Sequence, residues 1–151
     1  MNKMEVLKKS SFSRELDDEQ LEIIANIGSE ESFEVGESLA KQGRILEKLY
    51  LIVDGLVGLY LELGPMTHRQ LQAASNLEIV GWSAMLPPHR SHTTVKALET
   101  TKVLAFNGKE LSKVCATHPL IGYKVQRVLT SVIAERLEHA FTQLMGVTAQ
   151  D

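Results

Sequence analysis

A chain of 151 residues is long enough for one domain with a substantial core and too short for two ordinary domains. Its 44% hydrophobic and 23% charged residues are typical of a globular protein, and a net charge of −3 argues against a phosphate-binding surface for nucleic acid. The chain lacks a membrane-spanning apolar run and a signal peptide, and its single cysteine excludes an internal disulfide, so we predict a cytoplasmic protein without a membrane segment.

Helical features dominate the first part of the chain. Asp17 and Gln20 have the spacing of a capping box ahead of an apolar face, which predicts a helix that begins there. Gly28 is expected to end this helix in the left-handed conformation. We therefore assign N-terminal helices to residues 1–30.

Beyond residue 30 the apolar residues alternate with a period of two, which indicates half-buried strands. Strands are predicted at residues 32–35, 38–40, 49–53, 56–61, 69–73, 79–80, 93–97 and 102–106. Asp54-Gly55 predicts a type I′ hairpin, because both central residues of that turn need positive φ, and a second hairpin is predicted around Glu99-Thr100. About eight short strands indicate a jelly roll over residues 31–107.

The last part of the chain returns to a period of 3.6, which predicts C-terminal helices over residues 108–146. The longest begins near Pro119 and carries an apolar face wider than one packing contact needs. We assign a homodimer contact to six residues of this face: Ile121, Val125, Val128, Leu129, Val132 and Leu137. The alternative is one broad core face of a monomer. Residues 1–151 are expected to form a single domain.

A set of glycines and apolar runs follows a fixed order along most of the chain. Its members are Phe33-Glu34-Val35-Gly36-Glu37, Gly43, the run from Leu49 to Val57, Gly81, Val95-Lys96-Ala97-Leu98-Glu99, Val103-Leu104-Ala105-Phe106 and the helix after Pro119. This set, spread over roughly residues 5–145, resembles the cyclic nucleotide-binding domain of the CRP/FNR type. The resemblance implies a mainly β fold with flanking helices, a double-stranded β-helix (jelly roll) followed by a long C-terminal dimerisation helix.

The stretch after Gly81 corresponds to the ligand loop of that family. The resemblance assigns ligand binding to Gly81, Trp82, Ser83, Ala84, Arg90, Ser91, His92 and Thr93. In the family, a glutamate after the loop glycine binds the ribose and a later arginine binds the cyclic phosphate; here these positions hold Trp82 and Ser91. Losing both contacts costs roughly 3–6 kcal/mol, or about two to four orders of magnitude in affinity. The loop therefore implies weak binding of cyclic AMP or cyclic GMP, or binding of another small anion or a flat ring.

Several residues of this loop have two interpretations. Trp82 either plugs the barrel or stacks on a ligand, and Arg90 is either a solvated charge or an anion clamp. His89 and His92 have a spacing that would suit a metal, but no acidic third ligand is near, and we predict no metal and no certain cofactor. The sequence lacks the Gly-x-Ser-x-Gly, phosphate-loop and His-Glu-x-x-His motifs, so we expect no enzyme.

Relatives of the CRP/FNR type usually continue into a helix-turn-helix that binds DNA, and this sequence ends at Asp151 without a basic cluster. The resemblance thus implies a homodimeric, ligand-sensing regulatory module without a DNA-binding module, whose partner is a small molecule. One alternative is a degenerate β-roll that acts as a dimerising or adaptor protein without ligand. Another is a small metalloenzyme that uses His89 and His92.

Overall fold

The computed structural model describes residues 1–150, with side chains as far as residue 146, so Asp151 of the predicted domain lies outside the described residues. Its α-helices are α1 (Lys3–Lys9), α2 (Asp18–Ile27), α3 (Gly108–Thr117) and α4 (Pro119–Gln150), with short 3-10 helices at Ser11–Arg14 and Trp82–Met85. Its strands are β1 (Gly28–Phe33), β2 (Ser38–Ala40), β3 (Lys48–Asp54), β4 (Leu56–Gly64), β5 (Thr67–Ser75), β6 (Ile79–Val80), β7 (Thr94–Ala97) and β8 (Thr101–Asn107). No helix in this range is long and apolar enough to cross a membrane.

The strands form two antiparallel four-stranded sheets. One sheet has the order β1-β8-β3-β6 and the other the order β2-β7-β4-β5. Together with the flanking helices and the long α4, these sheets form the β-roll that the sequence predicts. The predicted fold class is therefore confirmed.

The capping box at the start of α2 is confirmed, but the predicted role of Gly28 is wrong. The Gln20 backbone N–H donates to Asp17 Oδ1 at 2.9 Å, and the Asp17 N–H donates to Gln20 Oε1 at 3.0 Å. Gly28 has an extended backbone, with φ of −80° and ψ of 141°, and begins β1 opposite Phe106. The β-roll thus starts at residue 28 instead of 31, because pairing with β8 extends the first strand.

Both predicted hairpins are wrong, because the chain changes sheets at each of these turns. β3 pairs with β6 and β8, whereas β4 pairs with β5 and β7. The segments at Asp54-Gly55 and at Glu99-Thr100 therefore cross between the sheets. They cross side by side: the Leu56 N–H donates to the Thr101 hydroxyl oxygen at 3.3 Å, and the Leu98 N–H donates to the Leu56 carbonyl at 2.8 Å. The β4–β5 connection is a true hairpin.

Alternating side chains of β3 and β8 bury both faces of the first sheet. One face contributes Leu49, Leu51, Leu104 and Phe106 to a core shared with the helices. The opposite face contributes Tyr50, Ile52, Val103 and Ala105 to a core shared with the second sheet. Two cores therefore fix the sheet between the helices and the barrel interior.

Most of the residues that we assigned to a dimer contact on α4 belong to the chain's own core. Ile121, Val125, Val128, Leu129 and Val132 are all buried in the core that the helices share with the first sheet. This burial corrects their assignment to a partner surface and agrees with the alternative of a broad core face. Leu137, which is 53% exposed, is the one member of the set whose side chain remains accessible.

Candidate functional site

A cavity of about 140 Å³ lies where the second sheet, the segment after β6 and α4 meet. Its lining residues are Leu59, Leu71, Gln72, Ile79, Val80, Gly81, Trp82, Ser83, Ser91, His92, Thr93, Val95 and Arg136. We call this space the loop cavity. Six of the eight residues that we predicted to bind ligand line it, and Ala84 and Arg90 do not.

Gly81 turns the chain out of β6 and starts the cavity wall. Its φ of +86° lies in the left-handed region, which glycine adopts without a steric penalty. The backbone here passes close to β3, so that a Cβ on Gly81 would lie 2.9 Å from the Lys48 carbonyl oxygen. The Ala84 N–H then donates to the Gly81 carbonyl at 3.1 Å, which begins the 3-10 helix that carries Trp82.

Trp82 lies between the helices and the loop cavity. Its half-buried indole packs against the core shared with the helices and also lines the loop cavity. The ring stacks on His92, with centroids 5.0 Å apart and planes 23° from parallel. His92 is held further by the Ser83 hydroxyl, which is 3.4 Å from His92 Nδ1. An ordered aromatic wall thus borders the cavity, and space remains beside it.

Ser91, which stands at the family's arginine position, stabilises the loop itself. Its buried hydroxyl donates to the Thr93 carbonyl at 2.6 Å. Its backbone N–H donates to the Arg44 carbonyl at 2.9 Å, and its own carbonyl accepts from the Gly43 N–H at 2.8 Å. Ser91 therefore holds the loop against residues 43–44 and supplies no positive charge to the cavity.

Arg90 and Ala84 are next in sequence to residues that line the loop cavity, but their own side chains lie outside it. The exposed Arg90 guanidinium donates to the Gly43 carbonyl at 2.9 Å, and its surface neighbours are residues 38–45. Ala84 is buried against Gly108 at the start of α3. Arg90 pairs with Ile45 through an isolated β-bridge and does not line the loop cavity, so its role as an anion clamp stays a prediction.

The wall of the loop cavity includes one arginine, Arg136 of α4, which we did not assign to the site from the sequence. Its side chain is only 14% exposed. Nη1 donates to Gln72 Oε1 at 3.3 Å, and Nη2 lies 3.8 Å from Glu78 Oε1. Gln72 Nε2 in turn donates to the Arg136 carbonyl at 3.0 Å. The sequence does carry a sign of this position: Arg136 follows Val132 by four residues and so lies on the same buried stripe of the helix.

The two histidines of the loop have hydrogen-bonding roles. His89 adopts a left-handed backbone with φ of +64°, and its Nδ1 is 3.2 Å from the Ser83 carbonyl. Among the described residues, no three potential metal ligands come together.

Behind Gly81, burial and the negative charges of Glu31 and Glu47 raise the pKa of Tyr50 to about 12. This phenol therefore stays neutral at physiological pH.

Comparisons with known proteins agree with this architecture. The family model of the cyclic nucleotide-binding domain matches residues 30–118. No curated protein matches the sequence. Among solved structures, a Geobacter metallireducens GS-15 protein described as cyclic nucleotide-binding is 25% identical, with a TM-score of 0.79 and coverage of 91% of this chain and 99% of that one.

Two further solved structures share the fold. A cyclic nucleotide-binding domain from Methylobacillus flagellatus KT is 16% identical, with a TM-score of 0.82 and coverage of 95% of this chain and 81% of that one. The catabolite activator protein of Thermus thermophilus is 22% identical, with a TM-score of 0.74 and coverage of 92% of this chain and 63% of that one. Residues 1–150, which the structure describes, contain no DNA-binding module.

Proposed function

This chain belongs to the cyclic nucleotide-binding domain family, and on that premise we propose that it is a ligand-sensing regulatory module whose ligand occupies the loop cavity. The observation that carries this proposal is the cavity itself: the family's ligand loop lines it, and Trp82 and Arg136 border it. An apolar pocket with a few converging polar groups is the usual form of a small-molecule site. The role we propose is regulatory and not enzymatic, and a cytoplasmic location stays a prediction.

The chemistry of the lining favours weak binding of cyclic AMP and cyclic GMP. Trp82 stands where a carboxylate would accept hydrogen bonds from the ribose, and an indole donates one hydrogen bond but accepts none. Ser91 stands where an arginine would bind the phosphate, and its hydroxyl is already bonded to Thr93. Loss of both contacts costs roughly 3–6 kcal/mol, which is about two to four orders of magnitude in affinity. Another small anion or a flat ring fits the lining better.

Calorimetric titration with a panel of nucleotides and small anions tests the proposal. We expect cyclic AMP and cyclic GMP to bind weakly, and a smaller anionic or flat-ring ligand to bind more tightly. Leu71→Trp should fill the loop cavity and abolish the binding of that ligand, because Leu71 is part of the wall. Leu63→Trp is the matched control, since Leu63 lies on β4 with 61% of its surface exposed.

Two results would contradict this assignment. Binding that persists in Leu71→Trp would place the ligand elsewhere on the chain. A panel that gives no binding heat at all would favour the second candidate, a degenerate β-roll that acts as a dimerising or adaptor protein without ligand. The stack of Trp82 on His92 and the bond of Arg136 to Gln72 support that candidate, because both satisfy cavity groups without a ligand.

We also propose that the module is a homodimer through the part of α4 that follows the core. Ile133, Leu137 and Phe141 are exposed there at intervals of four residues, and Ala140 lies beside them. Ile133, Leu137 and Ala140 have the spacing of a heptad seam, which suits pairing with a second copy of the same helix about a two-fold axis. The interface that we predicted therefore moves toward the C-terminal end of α4, with Leu137 retained.

Replacing Leu137 by Asp should weaken this dimer, because it would put a charge into the apolar seam. We expect a loss of about 2 kcal/mol of association free energy, which is roughly 30-fold in the dissociation constant. Sedimentation or light scattering over a concentration series measures it. Leu63→Asp, at a leucine of similar exposure away from α4, should leave the dissociation constant unchanged. An unchanged mass in Leu137→Asp would place the interface elsewhere.

A further inference from the structure

Arg136 adds a positively charged side chain to the wall of a mainly apolar cavity. A cation beside an apolar wall suits a ligand that has an anionic group and an apolar part. We propose that the loop cavity binds a single-ring aromatic carboxylate, whose carboxylate pairs with Arg136 and whose ring lies beside Trp82. This inference rests on the proposed function and deepens it by naming the ligand class. The arginine in question, Arg136, is on α4, 45 positions after Ser91 (136 − 91), the residue at the family's arginine position.

The size of the cavity favours one ring. Its volume of about 140 Å³ is close to the ~150 Å³ of an engineered protein cavity that binds benzene. A cyclic nucleotide carries a purine, a ribose and a phosphate, and so needs several times the space of one ring. A benzoate-sized ligand fills the space and leaves its carboxylate at the polar edge of the wall.

The surroundings of Arg136 favour a carboxylate. A guanidinium has five N–H donors, and the bond to Gln72 Oε1 at 3.3 Å uses a neutral acceptor. The nearest carboxylate oxygen belongs to Glu78 and is 3.8 Å away, which is a long contact, and the other Glu78 oxygen accepts the Ser75 N–H at 2.7 Å. A ligand carboxylate in bidentate geometry is therefore a better partner than either neighbour. At 14% exposure the charge is also poorly screened by water.

The remaining walls favour an aromatic ring. Trp82 is held by its stack on His92 and by packing against the core, and both rings line the cavity as a rigid aromatic wall. Leu59, Leu71 and Val95 from the second sheet provide apolar contacts around the same space. Burial of a ring against such a surface gains both the hydrophobic term and the aromatic contact. The cavity thus combines one rigid aromatic wall, one aliphatic wall and one cation.

Trp82 is the single tryptophan of the chain, so intrinsic fluorescence reports on this site directly. We would titrate the full chain with benzoate, with benzamide as a neutral ligand of the same shape, and with cyclic AMP. The expected result is a preference of roughly 30-fold for benzoate over benzamide, which is the scale of a hydrogen-bonded charge pair. In Arg136→Gln this preference should disappear, and in Arg136→Lys it should fall to an intermediate value.

Arg90→Gln is the matched control, because it removes an arginine of the same loop region whose guanidinium lies outside the cavity. It should keep the full preference for benzoate. Circular dichroism checks the fold of each variant, and Arg136→Lys decides the question if Arg136→Gln does not fold. The inference is overturned if wild-type protein binds benzoate and benzamide equally, or if the preference survives in Arg136→Gln.

The cyclic AMP titration separates this inference from the proposed function. If cyclic AMP binds with a response of Trp82 and benzoate does not bind, the aromatic carboxylate is wrong and the sensing role stands. If carboxylates, cyclic nucleotides and every other member of the nucleotide and small-anion panel fail to bind, as measured by fluorescence and by calorimetry, both proposals fail and the adaptor role is favoured.

Discussion

Replacing Gly55 by Ala should destabilise the protein by about 4 kcal/mol. Gly55 has a φ of +142°, and an L residue held there costs on the order of 1–3 kcal/mol. A Cβ at this position would also lie 2.7 Å from the backbone Cα of Thr101 and closer still to its hydroxyl oxygen. Thr101 follows the other segment that connects the two sheets. To relieve the clash, the two connecting segments must move apart, which adds roughly 1–3 kcal/mol.

Urea unfolding followed by circular dichroism measures this loss at a fixed protein concentration, since pairing would contribute to stability. Gly64→Ala is the matched control, because a Cβ there has open space and the residue also lies at an end of β4. We expect the control to change the free energy of unfolding by less than about 0.5 kcal/mol. Equal effects in the two variants would show that the crossing is not tightly packed.

The same position shows which part of the fold the sequence could predict. The predicted turn needs positive φ at both Asp54 and Gly55; Gly55 has it, but Asp54 does not and is the last residue of β3. The predicted hairpin is wrong, because strand pairing is decided by distant segments: β3 pairs with β8 and β4 with β7. Period-two alternation identifies strands but does not say which sheet each strand joins. Element types were therefore predictable, and their partners were not.

The candidate site divides in a similar way. Six of the assigned residues lie close together because they are contiguous in the loop or flank it directly. Arg90 also belongs to this stretch, but the backbone direction turns its side chain toward Gly43. Arg136 reaches the cavity only because α4 packs across β5, where Gln72 bonds both its guanidinium and its carbonyl. The sequence shows that Arg136 lies on the buried stripe of α4, but it does not show which strand that stripe meets.

Helix α4 shows a third limit of the sequence. Apolar residues at 3.6 spacing correctly predict a buried face, but the pattern does not show whether that face meets the same chain or a second one. Val125 and Val132 turn out to face the helices and the first sheet of their own chain. The exposed Leu137 lies just beyond them, and only the full set of contacts separates the two regions.

Replacing Gly81 by Ala should destabilise the protein by about 3 kcal/mol and disturb the loop cavity. A left-handed backbone costs an L residue roughly 1–2 kcal/mol. The added Cβ would lie 2.9 Å from the Lys48 carbonyl oxygen, and the required shift adds about 1–2 kcal/mol. Because Trp82 follows directly, the shift should also change its stack on His92, which the single tryptophan's emission reports.

Gly36→Ala separates the two causes of this effect. Gly36 has a φ of +88°, nearly that of Gly81, but a Cβ there meets no atom within 4 Å. It should therefore show only the backbone cost of roughly 1–2 kcal/mol in urea unfolding, with unchanged Trp82 emission. The difference between the variants, about 1–2 kcal/mol, measures how closely the loop is held against β3. Equal losses in the two would mean that the loop yields without strain, and the rigid aromatic wall proposed for the ligand would lose its support.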